Sequence, residues 1–367
     1  RWEGFEPLVQ LDDAPTYHSI DGYDPIWLEY VREGVEMSRA YWGSYGPTHV
    51  WILGREKGSS ISADAKRAFL EEYCEWRTGS SAQHSFSDCL GHAEEMLFDR
   101  VEDGDSESWL SDTRDTEPRM AELVFLNVHE QFREGDSVPG PFVRGVHEYT
   151  HVFQMSFGAI PTWMAEGGAV FAENWIPWLE GRGDPRFMMM HLMRNVQREM
   201  RGSELSIADM EAIETAPRSV AKHYLHLAYY SGAWATAFMV HKSSKQSVST
   251  LRDEFYPLVK EIGWEGALSK YVGMQSKEEF YAAFEVFMDW PLEEQLSLLD
   301  VHRAVGGPRL FVIGNEEANP DCAVEQVVNE AVEDVLCEAE ALLEKRLGAI
   351  SLAELSRGFD ARCKGMT

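Results

Sequence analysis

The sequence has little positive charge and no long apolar stretch. Its 367 residues include 33 lysines and arginines against 62 aspartates and glutamates, which gives a formal net charge of −29. A surface of this sign repels phosphate backbones, so we expect no nucleic-acid partner. A membrane-spanning helix is excluded because no run of about 18 apolar residues is present.

Cysteine is also scarce. The five cysteines form no CxxC pair, which argues against a zinc site built from thiolates. Cys74 with Cys89, and Cys322 with Cys337, are two candidate disulfides, and free or buried thiols are the equal alternative for each pair. The chain begins at Arg1 and contains no signal-like apolar segment.

The aromatic content and the local patterns predict a globular protein with both strands and helices. The 12 Trp, 13 Tyr and 18 Phe side chains need burial, which excludes disorder over most of the chain. Apolar periodicity predicts helices at 26–42, 62–77 and 223–241, strands at 48–54 and 120–128, an acidic loop at 100–118, and mostly helical structure after about residue 158.

The order of these elements predicts an α+β fold, because strands and helices come first and helices follow. A chain of this length is also long enough for more than one core. We therefore divide it into an α+β lobe (1–157), a helical lobe (158–300) and a helical C-terminal extension of unknown role (301–367).

The clearest chemistry lies in His-Glu-Tyr-Thr-His, residues 147–151. On a helix, His147 and His151 lie one turn apart on one face, so both imidazoles can bind the same metal ion. Glu148 lies beside them, where it can touch a metal-bound water rather than the metal. Flanking valines and phenylalanines favour a helix here. The alternative is a surface helix with an ordinary His-Glu-His cluster.

A catalytic zinc ion needs a third protein ligand and an open fourth position. Glu166 is the candidate, because it lies in the apolar segment 163–170, where a carboxylate needs a partner. Pro161 suits the start of a second helix that returns Glu166 to the histidines. The metzincin type of third histidine is excluded, since Gln154 and Phe157 stand where that pattern has glycine and histidine.

HEYTH, followed after 14 residues by the glutamate of PTWMAEGGAVFAE, resembles the gluzincins, the zinc peptidases that include thermolysin and the zinc aminopeptidases. The chain is most similar to the peptidase MA-like families, with their HExxH and PxWxxEGxA motifs. The resemblance covers residues 120–290 and is firmest at 147–173, whereas 301–367 match nothing in it. The GxMEN segment that binds a free amino terminus in zinc aminopeptidases is absent, so cleavage at amino termini is not expected.

The resemblance implies roles for further residues. Zinc aminopeptidases carry a second acid seven residues after the third ligand, and Glu173 in that position is expected to support a zinc histidine. In such enzymes a downstream tyrosine hydrogen-bonds the oxyanion of the tetrahedral intermediate. Tyr229, followed by Gly232, is the best match, with Tyr230 and His226 as alternatives. An ordinary surface acid and a core tyrosine are the competing interpretations.

The resemblance also implies an architecture and a function. It implies a gluzincin-like fold, with a mixed sheet and the active-site helix in the first lobe, and a substrate strand along the sheet edge expected at 120–128. We expect one Zn²⁺ held by His147, His151 and Glu166, and an endopeptidase that uses Glu148 as general base on a zinc-activated water.

Two other functions fit the same motifs: a zinc amide hydrolase acting on a small molecule, and a non-catalytic zinc-binding module. The expected partner is a peptide or protein substrate. The resemblance and the candidate disulfides favour a secreted or periplasmic location.

Overall fold

The computed structural model describes residues 14–290 except 57, 80–84, 112–119, 132–141 and 184. One small mixed sheet and many helices confirm the predicted α+β class. The described chain through Tyr281 belongs to one compact unit, and Ala282–Thr367 is a second unit, of which residues 282–290 are described. The domain boundaries after residues 157 and 300 stay predictions. The extension at 301–367, with Cys322 and Cys337, lies outside the described residues.

The sheet has four strands, with its two central strands buried on both faces. Two apolar runs, VWIL and LVFL, form these central strands, as expected for strands covered from both sides. The first, second and fourth strands of the sequence are parallel, and the third pairs antiparallel with the fourth. In chain order the strands are β1 (Thr16–Ser19), β2 (Thr48–Leu53), β3 (Ser108–Ser111) and β4 (Ala121–Leu126), with spatial order β1-β2-β4-β3.

Two expectations about the sheet are wrong. The acidic loop predicted at 100–118 contains strand β3, because pairing with β4 stabilises four residues that have little strand pattern of their own. The region 120–128 was expected to offer a sheet edge to substrate, but it contains β4, which is hydrogen-bonded to β2 on one side and to β3 on the other. The edge strand beside β4 is β3.

Helices cover both faces of the sheet. Tyr17 of β1 donates to Glu36 on one face (3.2 Å), and Tyr73 donates to Glu122 of β4 on the other (2.6 Å). Glu36 and Tyr73 belong to the two helices that the sequence predicted at 26–42 and 62–77. The helices of this region are α1 (Pro25–Trp42), α2 (Ala63–Gly79), α3 (Phe86–Ala93), a π-helix (Glu94–Asp99), α4 (Arg100–Asp103), α5 (Val128–Gln131) and α6 (Val143–Met155).

A disulfide joins α2 to α3. Cys74 and Cys89 are bonded with an S–S distance of 2.09 Å, so for this pair the disulfide alternative is confirmed. Cys74 is fully buried, and Cys89 is nearly so.

The chain after residue 158 is helical in its described part, as the periodicity predicted. The single helix predicted at 223–241 is divided into a π-helical and an α-helical segment. None of the helices in the described ranges has the length and apolar character needed to cross a bilayer. The elements are α7 (Thr162–Leu179), α8 (Pro185–Glu199), two 3₁₀ turns (Ile207–Met210 and Ile213–Thr215), α9 (Arg218–Ala221), a π-helix (Leu225–Ser231), α10 (Gly232–Lys242), a π-helix (Leu251–Phe255), α11 (Tyr256–Val272) and α12 (Lys277–Met288).

Two glycines allow α1 and α6 to pack with their backbones in contact. A Cβ atom on Gly145 of α6 would collide with the backbone of Val31 and lie 2.7 Å from the Val35 nitrogen. A Cβ atom on Gly34 of α1 would in turn collide with the carbonyl oxygen of Phe142. This contact fixes α6, the helix that carries the HExxH motif, against the sheet-covering helix α1.

Candidate metal centre

Helix α6 places the two histidines of the motif side by side. The His147 and His151 rings lie with their centroids 4.8 Å apart, one helical turn from each other. His147 is 2% exposed and Glu148 3% exposed, because α1 and α7 pack on either side of α6. A buried imidazole and a buried carboxylate need polar partners, and the neighbouring elements supply them.

The next helix brings the third predicted ligand to this pair. Pro161 precedes α7, and Glu166 lies in the first turns of that helix. Its Oε2 atom is 3.3 Å from His147 Nε2 and 3.5 Å from His151 Nε2. The three ligand atoms all lie within 4.8 Å of one another.

Two of the three separations in the cluster match those of a tetrahedral zinc site. With bonds of about 2.0–2.1 Å, a tetrahedral ion separates its ligand atoms by roughly 3.3–3.4 Å. The two shorter separations in the cluster, 3.3 and 3.5 Å, match that spacing. The structure therefore brings together the three residues that the sequence predicted as ligands, with donor atoms of the kinds that zinc prefers.

Each histidine is oriented by a partner on its other ring nitrogen. His147 Nδ1 donates to Glu173 Oε1 at 2.7 Å, so Glu173 lies against one of the histidines that the resemblance expected it to support. His151 Nδ1 donates to Gln154 Oε1 at 2.8 Å. Because both acceptors take a proton from Nδ1, the Nε2 atom of each ring is the one that can bind a metal ion beside Glu166.

Gln154 contacts a candidate ligand, and the sequence motifs did not predict this contact. It is 1% exposed, and its Nε2 donates to the Ala165 carbonyl at 3.0 Å and to the Tyr256 hydroxyl at 3.1 Å. Gly168 leaves room for it, since a Cβ there would lie 2.7 Å from Gln154 Nε2. The available signal was a lone amide three residues after His151, on the same face of the helix.

The electrostatics of the cluster favour a charged pair when no metal is bound. Burial opposes protonation of His147, but hydrogen bonds to Glu166 and Glu173 outweigh it and raise its pKa to about 10. Burial likewise favours neutral Glu166, but hydrogen bonds from His147 and His151 hold its pKa well below the usual range. The carboxylate is thus ionised, as a metal ligand must be.

Glu148 lies beside the ligands and contacts the sheet. Ser108 of edge strand β3 donates its hydroxyl to Glu148 Oε1 at 2.7 Å. This contact ties the candidate general base to the strand whose outer edge is unpaired within the described sheet. Ser108 lies in the segment 100–118 that was predicted to be a loop, and no role was predicted for it.

Two tyrosines also contact the candidate ligands. The Tyr229 ring stacks on His147, with centroids 5.7 Å apart and 16° between the ring planes. Tyr224, which no motif singled out, donates its hydroxyl to Glu166 Oε1 at 2.9 Å. The rings of Tyr224 and Tyr229 meet edge to face at 5.3 Å. Burial and then the Glu166 charge raise the pKa of both phenols, so both stay protonated donors.

The structure does not bring the alternatives to Tyr229 into the cluster in the same way. Tyr230 lies near Glu173, whose charge adds to burial in raising the pKa of Tyr230. His226 packs edge to face on Tyr230, with the ring centroids 5.6 Å apart. The charged and titratable groups that influence the pKa of His226 are Glu199, His223 and Arg198, and none of them is a candidate ligand.

Among protein families, curated proteins and solved structures, none shows detectable similarity to this chain. The function proposed below is therefore inferred from the geometry of the cluster.

Proposed function

We propose that this protein is a zinc-dependent metallopeptidase that cleaves peptide bonds within chains. The observation that carries the proposal is the convergence of His147, His151 and Glu166 at zinc-ligand spacing, with Glu173 and Gln154 orienting the two imidazoles. A zinc ion held there polarises a substrate carbonyl and lowers the pKa of a water toward about 7.

The chain's own side chains supply the proton transfers. Glu148 accepts the proton of the attacking water and then delivers it to the leaving amine nitrogen. The Ser108 hydroxyl fixes one Glu148 oxygen, so the other is free for this task. Tyr229, kept protonated by burial and by the Glu166 charge, donates to the oxyanion that develops on the scissile carbonyl.

Substrate binds along β3 in this proposal. A peptide that adds to the β3 edge forms main-chain hydrogen bonds with the strand and needs no particular sequence for them. Because Ser108 of the same strand touches Glu148, such a peptide passes the candidate general base. This replaces β4, where both sides of the strand are already paired.

Metal content and a single substitution test the proposal. We expect about one zinc per chain, lost in His151→Ala. In Glu148→Gln we expect zinc to be retained and cleavage of a fluorogenic peptide to fall by about 10²–10⁴-fold. Glu75→Gln, at an exposed position of α2, is the matched control and should keep both properties.

Failure has several recognisable forms. A wild-type protein that takes up no zinc, or a Glu148→Gln variant that still cleaves peptides, would contradict the proposal. Digestion of a mixed peptide library distinguishes the substrate classes: cleavage at many internal positions supports an endopeptidase. A zinc-loaded protein that hydrolyses small amides but leaves the whole library intact would identify an amide hydrolase.

We also infer that the protein works in an oxidising compartment. The Cys74–Cys89 disulfide supports this location, because such bonds persist outside the reducing cytosol. Alkylation and mass spectrometry of protein isolated from its source test it, and two freely alkylated thiols at these positions would contradict it.

A further inference from the structure

Glu166 presents its two oxygens to different partners. Its Oε2 faces His147 and His151, at 3.3 and 3.5 Å, whereas its Oε1 accepts a hydrogen bond from Tyr224 at 2.9 Å. We propose that Tyr224 is a positioning residue that restricts Glu166 to binding the metal through one oxygen. This inference rests on the zinc site of the proposed function and assigns a residue that the mechanism above does not use.

A carboxylate needs such a restraint at a catalytic zinc site. Carboxylates bind metal ions through one oxygen or through both, and a second bound oxygen takes up space around the ion. A catalytic zinc site holds three protein ligands and keeps a fourth position open for water or substrate. With Oε1 engaged by the Tyr224 hydroxyl, Glu166 offers the ion Oε2 alone, and the fourth position stays open.

The π-helix explains why two tyrosines reach the same carboxylate. In an α-helix of about 3.6 residues per turn, residues five apart lie about 140° apart around the axis. In a π-helix, residues five apart are joined by a hydrogen bond and lie on one side. The segment Leu225–Ser231 is π-helical, so Tyr224 at its N-cap and Tyr229 within it both face Glu166.

A glycine contact holds this π-helix against the helix that carries Glu166. A Cβ on Gly167 would collide with the backbone of Gly232, and one on Gly232 would lie 2.9 Å from the Gly167 Cα. Gly167 directly follows Glu166, and Gly232 directly follows the π-helix. The two backbones therefore touch next to the carboxylate. This close approach holds Tyr224 within hydrogen-bond distance of Glu166 Oε1.

The matched variants are Tyr224→Phe and Tyr229→Phe, each of which removes one hydroxyl from the same aromatic pair. In Tyr224→Phe we expect zinc affinity, measured by chelator competition, to fall by about 10–100-fold. We also expect the cobalt(II) derivative to lose d–d absorption intensity, because five- and six-coordinate cobalt absorbs more weakly than four-coordinate cobalt. In Tyr229→Phe, which removes a hydroxyl that also faces Glu166 and Tyr224, zinc affinity should fall less than in Tyr224→Phe and the cobalt spectrum should stay four-coordinate, while kcat falls by about 10²–10³-fold.

The cobalt spectrum distinguishes positioning from a general loss of structure. A variant that is only less stable changes its melting temperature but keeps the coordination of the ions it does bind. Wild-type affinity and a wild-type cobalt spectrum in Tyr224→Phe would overturn the inference and leave the proposed function intact. A wild-type protein that binds neither zinc nor cobalt would remove both.

Discussion

At the scale of single residues, Gln154 links three helices around the candidate site. Its amide oxygen accepts from His151 on α6, and its amide nitrogen donates to the Ala165 carbonyl on α7 and to the Tyr256 hydroxyl on α11. The residue is buried, so each of these groups would lose a partner that water cannot replace.

The variant Gln154→Leu should weaken both the fold and the metal site. We expect zinc affinity to fall by about 10–100-fold, because the His151 ring loses the acceptor that orients it. We expect the free energy of unfolding to fall by about 1–3 kcal/mol, because buried polar groups are left unpaired. Chelator competition and urea denaturation measure the two effects.

Asn174→Leu is the matched control for this prediction. Asn174 is a second buried amide, on α7. Its side chain donates to the Val170 carbonyl, 2.8 Å away, and not to a candidate metal ligand. This variant removes that hydrogen bond together with a buried amide oxygen that has no hydrogen-bond partner among the described residues, and it should keep zinc affinity. Equal losses of zinc affinity in both variants would show that Gln154 acts through general stability and not through His151.

Sequence spacing predicted the candidate metal ligands but not Gln154, which contacts one of them. His147 and His151 are identifiable because one helical turn separates them, and Glu166 because it is a lone acid in an apolar segment. Gln154 entered the sequence analysis only as a mismatch to another pattern. Its role depends on α7 and α11 packing beside it, and no local pattern in the sequence reports that packing.

At the scale of elements, the contact between α1 and α6 sets where the histidines lie. Gly145→Ala places a methyl group against the backbone of Val31 and Val35, and backbone cannot rotate out of the way as a side chain can. We expect the free energy of unfolding to fall by about 1–3 kcal/mol or more. Denaturant unfolding with a two-state fit gives the value.

Gly91→Ala is the corresponding control. Gly91 lies within α3, and a Cβ there would meet nothing within 4 Å. Alanine is favoured over glycine inside helices, so this variant should gain up to about 1 kcal/mol. If both variants gain stability, helix propensity and not the contact of α1 with α6 decides the outcome at Gly145.

The disulfide restrains a neighbouring pair of elements, α2 and α3. Its cysteines are 15 residues apart in sequence, and a loop of that length corresponds to about 3 kcal/mol in the chain-entropy treatment. Replacing both Cys74 and Cys89 with alanine should lower the free energy of unfolding by about 2–4 kcal/mol. Wild type measured in reductant should show a similar loss, whereas added reductant should leave the double variant unchanged.

The elements that the sequence predicted well are those with local signals. Helix α1 begins after Asp24, whose side chain accepts from the Ile26 backbone at 2.9 Å, and α2 begins after Ser62, which accepts from Ala65 at 3.1 Å. By contrast, β3 is created by pairing with β4. The π-helix within the helix predicted at 223–241 changes which side chains share a face. As a result Tyr224 lies beside Tyr229 at the cluster, a position for which the sequence had suggested His226 as an alternative.

At the scale of the whole molecule, the net charge of −29 gives the protein a negative long-range field. Such a field speeds encounters with cationic peptides and slows encounters with anionic ones. Its reach is set by salt, because the Debye length falls from about 30 Å at 0.01 M to about 8 Å at 0.15 M ionic strength. If the protein is the peptidase proposed above, the charge of a peptide far from the cleaved bond should affect its cleavage.

Three fluorogenic peptides with one common core, flanked by lysine, glutamine or glutamate, measure this effect. At low salt kcat/KM should be highest for the lysine-flanked peptide and lowest for the glutamate-flanked one, and the three values should converge as salt rises. Since the field acts on encounter and not on the chemical step, kcat at saturating peptide should change little with salt. A preference for lysine that persists undiminished at high salt would indicate a direct contact near the cleaved bond, and the overall charge would then have no part in selecting substrates.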